Sequence, residues 1–176
     1  MGMKLIAPAL LCFLSLFIGL PQQANAQNRV GQFLKDTAKD VVLDSTTYGP
    51  FGASWLSKQL DWNSSQVLFR NGYVEDNPDF TINGLSHDKP VGYWSGNARI
   101  VRVSLPVLQL SLVNNMLTSA IERMLIYHYP EHRKFIKALG WVEKIAVSGY
   151  ISYKYSHGNF RQWQINKDKA RQLGYK

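Results

Sequence analysis

Hydrophobic and polar positions divide the chain into four helical stretches behind an apolar leader. Residues 5–20 are almost uninterruptedly apolar, Lys4 precedes them, and Ala24-Asn25-Ala26 follows Pro21. A basic start, an apolar middle and an A-x-A exit predict a secretory signal peptide cleaved after Ala26. Val30, Phe33, Leu34, Ala38, Val41 and Val42 then recur at helical spacing with Lys35, Asp36, Lys39 and Asp40 between them, which predicts an amphipathic helix over 29–45. Tyr48-Gly49-Pro50-Phe51-Gly52 breaks that pattern. Ser54 is placed to cap a second helix carrying Trp55, Leu56, Leu60, Val67 and Leu68, which Asn71-Gly72 ends.

From Tyr73 to Gly96 the periodicity is lost, and Asn77-Pro78, Asn83-Gly84, Lys89-Pro90 and Ser95-Gly96 supply turn signals at short intervals. Tyr73, Phe80, Tyr93 and Trp94 are candidates to pin this long loop against the helices, so it is expected to be ordered. A third helix follows over 97–129, with Leu110, Val113, Leu117, Ile121, Met124 and Leu125 along one side and Pro106 marking a kink or a first turn. No charge occurs between Arg102 and Glu122. A membrane span is one reading of that stretch. Gln109, Ser111, Asn114, Asn115, Thr118 and Ser119 within it favour a buried core helix instead.

Pro130 opens a last helix carrying Phe135, Leu139, Val142, Ala146, Gly149 and Tyr153. Ile151, Tyr153 and Tyr155 also alternate with polar residues as a short strand would, but continuity favours helix. Residues 161–176 carry Arg161, Lys167, Lys169, Arg171 and Lys176 against Asp168 and predict a solvated, partly frayed basic tail. The expected architecture is all-α: about four helices in a bundle-like single domain over 27–160, one long ordered loop, the signal peptide before it and the basic tail after it.

Composition then narrows the chemistry. Cys12 is the only cysteine and falls inside the apolar leader, so the mature chain can form no disulfide and has no thiolate for zinc binding or nucleophilic attack. The leucines before Cys12 and the long apolar run after it do not form a lipidation site. The formal charge of +8 is spread along the chain and suits solubility or an anionic partner, such as a membrane surface or an acidic envelope protein. Nothing in its distribution calls for nucleic acid. There is no G-x-S-x-G and no phosphate-binding glycine pattern. His128 and His132 are spaced as helical zinc ligands, but Pro130 between them destroys the shared face. No cofactor is expected.

The most informative polar positions are Asp61, Ser65, Glu75 and Asn77, with His157 and Asn159 far along the chain. Asp61 and Ser65 share a helix face flanked by Leu60 and Leu68, which can draw the carboxylate inward, and a buried carboxylate needs partners. Glu75 and Asn77-Pro78 can fold back on that helix, and His157 or Asn159 can arrive from the last one. Such a cluster is a structural network, or a site for a cation or a small polar ligand. Asp61, Ser65, Gly72 and Glu75-Asp76-Asn77-Pro78, followed by a helix with His157 and Asn159, resemble a loose family of small bacterial helical proteins, many of them membrane-embedded. That resemblance covers roughly 55–163. It implies a four-helix arrangement with no established activity, and its motif residues here are Asp61, Glu75, Asn77 and Asn159. The cleavable signal, the higher charge and the weaker apolar helices depart from it.

Tyr150, Tyr153, Tyr155, Phe160 and Trp163 interleave with Lys154 and Arg161; helix packing, a membrane interface and ligand stacking all suit them, packing best. Arg161, Lys167 and Lys169 are the candidate contacts to an anionic surface. The sequence therefore points to an exported, non-enzymatic envelope module, in the periplasm or against the inner membrane. Its alternatives are a periplasmic binding protein using Asp61, Glu75 and His157, and a small integral membrane protein.

Overall fold

A computed structural model describes the backbone of residues 24–175 and the side chains of 30–175. All but the last three positions of the expected signal peptide lie outside that range. Four helices carry the fold: α1 (Ala24–Leu43), α2 (Ser45–Arg70), α3 (Tyr93–His128) and α4 (Arg133–Gln172), with short 3-10 turns at Pro78–Phe80 and Pro130–His132. The only β pairing among the described residues is two isolated bridges in the loop, Glu75 with Asp88 and Thr81 with Pro90. The all-α, bundle-like expectation holds.

The chain divides into two compact units at Lys39–Asp40, with described residues 24–39 in the first and 40–175 in the second. Within the first, α1 closes its own hydrogen bonds, Thr37 Oγ1 donating to Phe33 O at 2.8 Å and Gln32 Nε2 to Asp36 Oδ1 at 2.9 Å. The second unit contains the end of α1 and all of α2 to α4.

α2 begins nine residues before the cap expected at Ser54. Asp44 ends α1 in an extended conformation and caps α2, its carboxylate accepting from Thr46 N at 3.0 Å and Thr46 Oγ1 at 2.7 Å. This cap starts the helix early enough that Pro50 falls in its second turn, and the segment 48–52 is helix rather than a break. Ser54 is fully buried and accepts from Lys58 Nζ at 2.6 Å. At the other end, Asn71 N donates to Leu68 O and Gly72 turns with φ +86°, so the expected stop is observed.

Four contacts fix the register of the bundle. Asn115 Nδ2 donates to Thr47 Oγ1 at 2.8 Å and Gln59 Nε2 to Asn97 Oδ1 at 2.9 Å, so α3 runs antiparallel to α2. Thr118 Oγ1 donates to Glu143 Oε2 at 2.6 Å while Asn166 Nδ2 donates to Asp61 Oδ1 at 2.9 Å, so α4 runs antiparallel to α3 and parallel to α2.

The half of the bundle around Trp62 is packed as expected of a protein in water. Trp62, Phe80 and Ile100 form an apolar core with Phe69, Val91 and Val103 against it. Trp62 Nε1 reaches Tyr93 O at 3.3 Å, and Gly96 permits the close approach: a Cβ there would lie 2.2 Å from the indole. Arg99 Nη1 ties the loop down by donating to Asp79 O at 2.7 Å and Thr81 O at 3.1 Å. Phe80 therefore pins the loop, but Trp94 does not, being 80% exposed.

The other half is inverted. The buried face of α3 there is Ser104, Val107, Ser111, Asn115, Ser119 and Ala120, whereas Leu110, Ile121, Met124 and Leu125, expected to face a core, are exposed. Val113 and Leu117 are half-buried. On α4, Gly140 and Lys144 are buried, with Ile136 and Ile151 on the same inward side, while Phe135, Leu139, Trp141, Val142 and Ile145 are exposed. Tyr150 and Tyr153 also face outward, correcting the expectation that they pack between helices. On α2, Thr47, Ser54 and Ser57 are buried, with Tyr48, Trp55 and Leu56 outside. The apolar positions form a stripe, as the periodicity predicts, but it faces away from the neighbouring helices.

The expected tail is the end of α4. The helix continues without a break through 161 to Gln172, and Asn166 and Ala170 are buried. The strand alternative at 151–155 is likewise resolved as helix.

Candidate functional site

Asp61 and Asn166 lie at the centre of the polar cluster. Asp61 follows Leu60 on α2 beside the buried Trp62 and Ser65, and this face meets α4. Ser64 Oγ and Ser65 Oγ donate to the main-chain carbonyl of Asp61 at 2.8 and 3.0 Å. Their oxygens remain free to accept, and Asn166 Nδ2 lies 2.8 Å from Ser65 Oγ and 3.3 Å from Ser64 Oγ, besides its bond to the Asp61 carboxylate. Gln162 Nε2 donates to Asn166 Oδ1 at 2.9 Å and orients the amide. One amide thus clasps a carboxylate and two hydroxyls across the α2–α4 seam, and its own oxygen is satisfied.

Burial pushes the Asp61 carboxyl up to about 7, the negative charge of nearby Glu75 adds to the rise, and the Asn166 hydrogen bond opposes it. Burial also raises Glu75, against the hydrogen bonds it accepts from the main chain at Asn77 and Asp76. Glu75 Oε1 accepts from Asn77 N at 2.8 Å, and Asn77 Oδ1 in turn accepts from Asp79 N at 3.1 Å, capping the 3-10 turn. Asp61, Ser65 and Glu75 are therefore brought together as expected, whereas the Asn77 side chain serves the loop.

His157 and Asn159 do not join the cluster. His157 is exposed and stacks on Tyr153 at 4.9 Å between ring centroids. Asn159 Nδ2 donates to Tyr155 O at 3.3 Å, within its own helix. The last helix instead contributes Asn166, seven residues or about two helical turns beyond Asn159. No group of three or more histidine, cysteine or acidic side chains among the described residues is arranged to hold a metal ion.

A second polar assembly, with no counterpart in the sequence reading, occupies the inverted half. Lys144 is 7% exposed, and its Nζ donates to Ser119 Oγ at 2.9 Å, lying 3.4 Å from Asp44 and 3.7 Å from Glu122. Glu122 fits only because position 140 is glycine: a Cβ there would meet its carboxylate oxygen at 1.8 Å. Asn115 Nδ2, bonded to Thr46 Oγ1 and Thr47 Oγ1 at 2.8 Å each, extends the polar interior toward the middle of the bundle.

The candidate surface cations separate into two groups. Lys167 Nζ stands 4.8 Å over the Trp163 ring and Lys169 Nζ 4.0 Å over Tyr73, so both are engaged near the end of α4. Arg161 is exposed nearer the middle of the bundle, and Lys154 stands over Tyr150 and Tyr155 at 5.9 and 5.8 Å.

Comparison with protein-family models, with curated proteins and with solved structures finds no match to this chain.

Proposed function

We propose that this chain is a small, non-enzymatic integral membrane protein of the cell envelope, whose α2–α4 bundle presents a water-facing cap from one side of the bilayer. The observation that carries the reading is the inverted half. A helix core in water buries aliphatic side chains and exposes polar ones. Helices in lipid associate through small and polar residues and turn their aliphatic side chains outward. Ser104, Ser111, Asn115, Ser119 and Lys144 inside, with Leu110, Ile121, Leu139, Trp141 and Val142 outside, follow the second rule.

Dimensions support the same reading. α3 is long and apolar enough to cross a membrane, and only 28% of its apolar stretch is buried within the bundle, where a core helix of a soluble protein would be mostly covered. Its uncharged run over 103–121 spans about 28 Å at 1.5 Å per residue, close to a hydrocarbon core of about 30 Å. We take 41–57 and 138–153 as the matching membrane segments at the α1–α2 junction and on α4; the charges within them, Asp44, Glu143 and Lys144, all have partners inside the bundle. Asp61, Glu75 and the Trp62 core lie beyond these segments, in the cap. The apolar leader at 5–20 supports an envelope location.

The test is extraction of the full chain from membranes. Retention in the pellet through high salt and alkaline carbonate, with release by detergent, is the expected result. Recovery as a soluble monomer would overturn the reading, and recovery as a soluble oligomer would assign the apolar surface to copies of the chain.

A further inference from the structure

The boundary between the two halves of the bundle lies where the apolar surface of α3 ends. Gln59–Asn97 and Thr47–Asn115 set α2 against α3, while Asp44–Lys144 and Asp61–Asn166 set α2 against α4. Carried along the helices, these contacts place Arg102 of α3 level with Leu56 of α2 and with the stretch of α4 between Lys154 and Arg161. Arg102, Lys154 and Arg161 are all exposed. Arg102 stands on α3 and, with Arg161, near one level; Lys154 shares the Arg161 face of α4, about 10 Å closer to the apolar surface, so the three form a basic collar across α3 and α4.

The surroundings of this collar are specific. Arg102 closes the uncharged run of α3, so the collar begins where the apolar surface stops. Trp55, Tyr150, Tyr153 and Tyr155 are exposed in the same zone, and Lys154 lies over two of those rings. Aromatic side chains with a polar edge concentrate at the headgroup level of a bilayer. The acidic groups nearest in level, Asp61 and Glu75, are turned inward to the α2–α4 seam and the loop. Asp76 faces His87 and Asp88 faces Asn83 and Lys89, within the loop. Arg99, three residues before Arg102, is held by loop carbonyls.

We propose that Arg102, Lys154 and Arg161 form a docking collar for anionic phospholipid headgroups on the cap side of the bilayer. Its occupant is a phosphodiester headgroup bearing net negative charge, held while its acyl chains lie along the exposed aliphatic surface of α3 and α4. The sequence-level candidates Lys167 and Lys169 lie farther along α4 and engage Trp163 and Tyr73, so they are not part of the collar. This inference rests on the membrane reading above.

The experiment reconstitutes the full chain in vesicles of mixed phosphatidylcholine and phosphatidylglycerol. Quenching of tryptophan fluorescence is compared with bromine carried on one lipid or the other, in a Trp94→Phe/Trp141→Phe background that leaves Trp55, at the collar level, as the exposed reporter in the lipid zone. The expected result is about a fivefold preference for phosphatidylglycerol, reduced by high salt. It should approach unity in Arg102→Gln/Lys154→Gln/Arg161→Gln and persist in Lys167→Gln/Lys169→Gln. The single variant Arg161→Gln, on an exposed position, should show a partial loss if the triple variant folds poorly by circular dichroism. Equal quenching by both lipids in the wild type, or a preference unchanged by the triple variant, would overturn the collar while leaving the membrane reading intact. Failure of the chain to enter either vesicle would overturn both.

Discussion

Around Trp62 the molecule is built as proteins in water are, with Trp62, Phe80 and Ile100 inside and Asn63, Asp76 and Arg70 outside; around Lys144 the same helices bury serines, threonines, Asn115 and Lys144 beside a few small aliphatics such as Val41 and Val107, and turn most of their large apolar side chains outward. Both regions bury their contact surfaces closely. In each, a glycine admits one large group from a neighbouring helix: Gly96 admits the Trp62 indole and Gly140 the Glu122 carboxylate. The difference is in what is sealed away. Apolar burial in the cap is driven by water, whereas the polar interior of the other half is held by specific bonds, with hydrocarbon as the proposed outer solvent. A single chain therefore changes its packing rule midway along three helices, at the level of Arg102.

The largest effect that sharpens this comparison is expected at Lys144. Lys144→Met removes the cation shared by Asp44 and Glu122 and should cost about 3–5 kcal/mol in detergent-titration unfolding. Adding Asp44→Asn and Glu122→Gln to the same chain should recover most of that loss, because no buried charge is then left unpaired. If Lys144→Met is neutral, the polar interior does not hold that half together.

Next in size is a matched pair of exposed aliphatic positions. Leu110→Arg, in the proposed lipid zone, should cost about 2.5–3.5 kcal/mol of insertion free energy. Ile82→Arg, on the loop of the cap and 56% exposed against 37% for Leu110, should stay within about 0.5 kcal/mol. Equal tolerance at both positions would mean that both face water.

The two tight glycines come third. Gly140→Ala and Gly96→Ala should each lose about 1–3 kcal/mol by overpacking, read as a lower unfolding midpoint. Gly149→Ala, with open space around its added methyl, should instead gain about 0.4–1 kcal/mol.

The smallest effect is a pH slope in the cap. Folded Asp61 holds its proton up to about pH 7, whereas its ordinary value is 3.8. Between those values the folded state binds more protons than the unfolded one, so Asp61 makes stability fall as pH rises. Asp61→Asn should remove much of that slope. Its melting temperature in detergent should match the wild type near pH 4 and exceed it by a few degrees at pH 8, where the wild type carries the full penalty. A slope unchanged by the substitution would assign it to Glu75 or another group.

The fold was legible in the sequence to the level of four helices because their apolar spacing, the Asn71-Gly72 stop and the Pro130 junction are local signals. Which side of each helix faces its neighbours was not, since a stripe of Leu110, Leu117 and Ile121 has the same period whether it meets protein or lipid. The serines and Asn115 that argued against a span in sequence occupy the helix contacts, where polarity is compatible with one. The early start of α2 was hidden because Pro50 and two glycines outweigh, in a local reading, a cap whose carboxylate lies just before them. The basic residues after Arg161 obscured a helix whose buried positions, Asn166 and Ala170, are four apart. Asp61, Ser65 and Glu75 were legible as a cluster; their partner Asn166 was not, because its role depends on the parallel register of α2 and α4.

The central claim is the change of outer solvent along the bundle, and cysteine mapping tests it directly, since Cys12 is the only native cysteine. In a Cys12→Ser background, single cysteines at Leu110, Met116, Leu139 and Val142 are compared with ones at Ile82, Leu85 and Arg161, using a polar maleimide on membranes opened to both faces. The prediction is that the first set resists labelling until detergent or denaturant is added and the second set labels at once. Rapid labelling of Leu110, Met116, Leu139 and Val142 in intact bilayers would contradict the account.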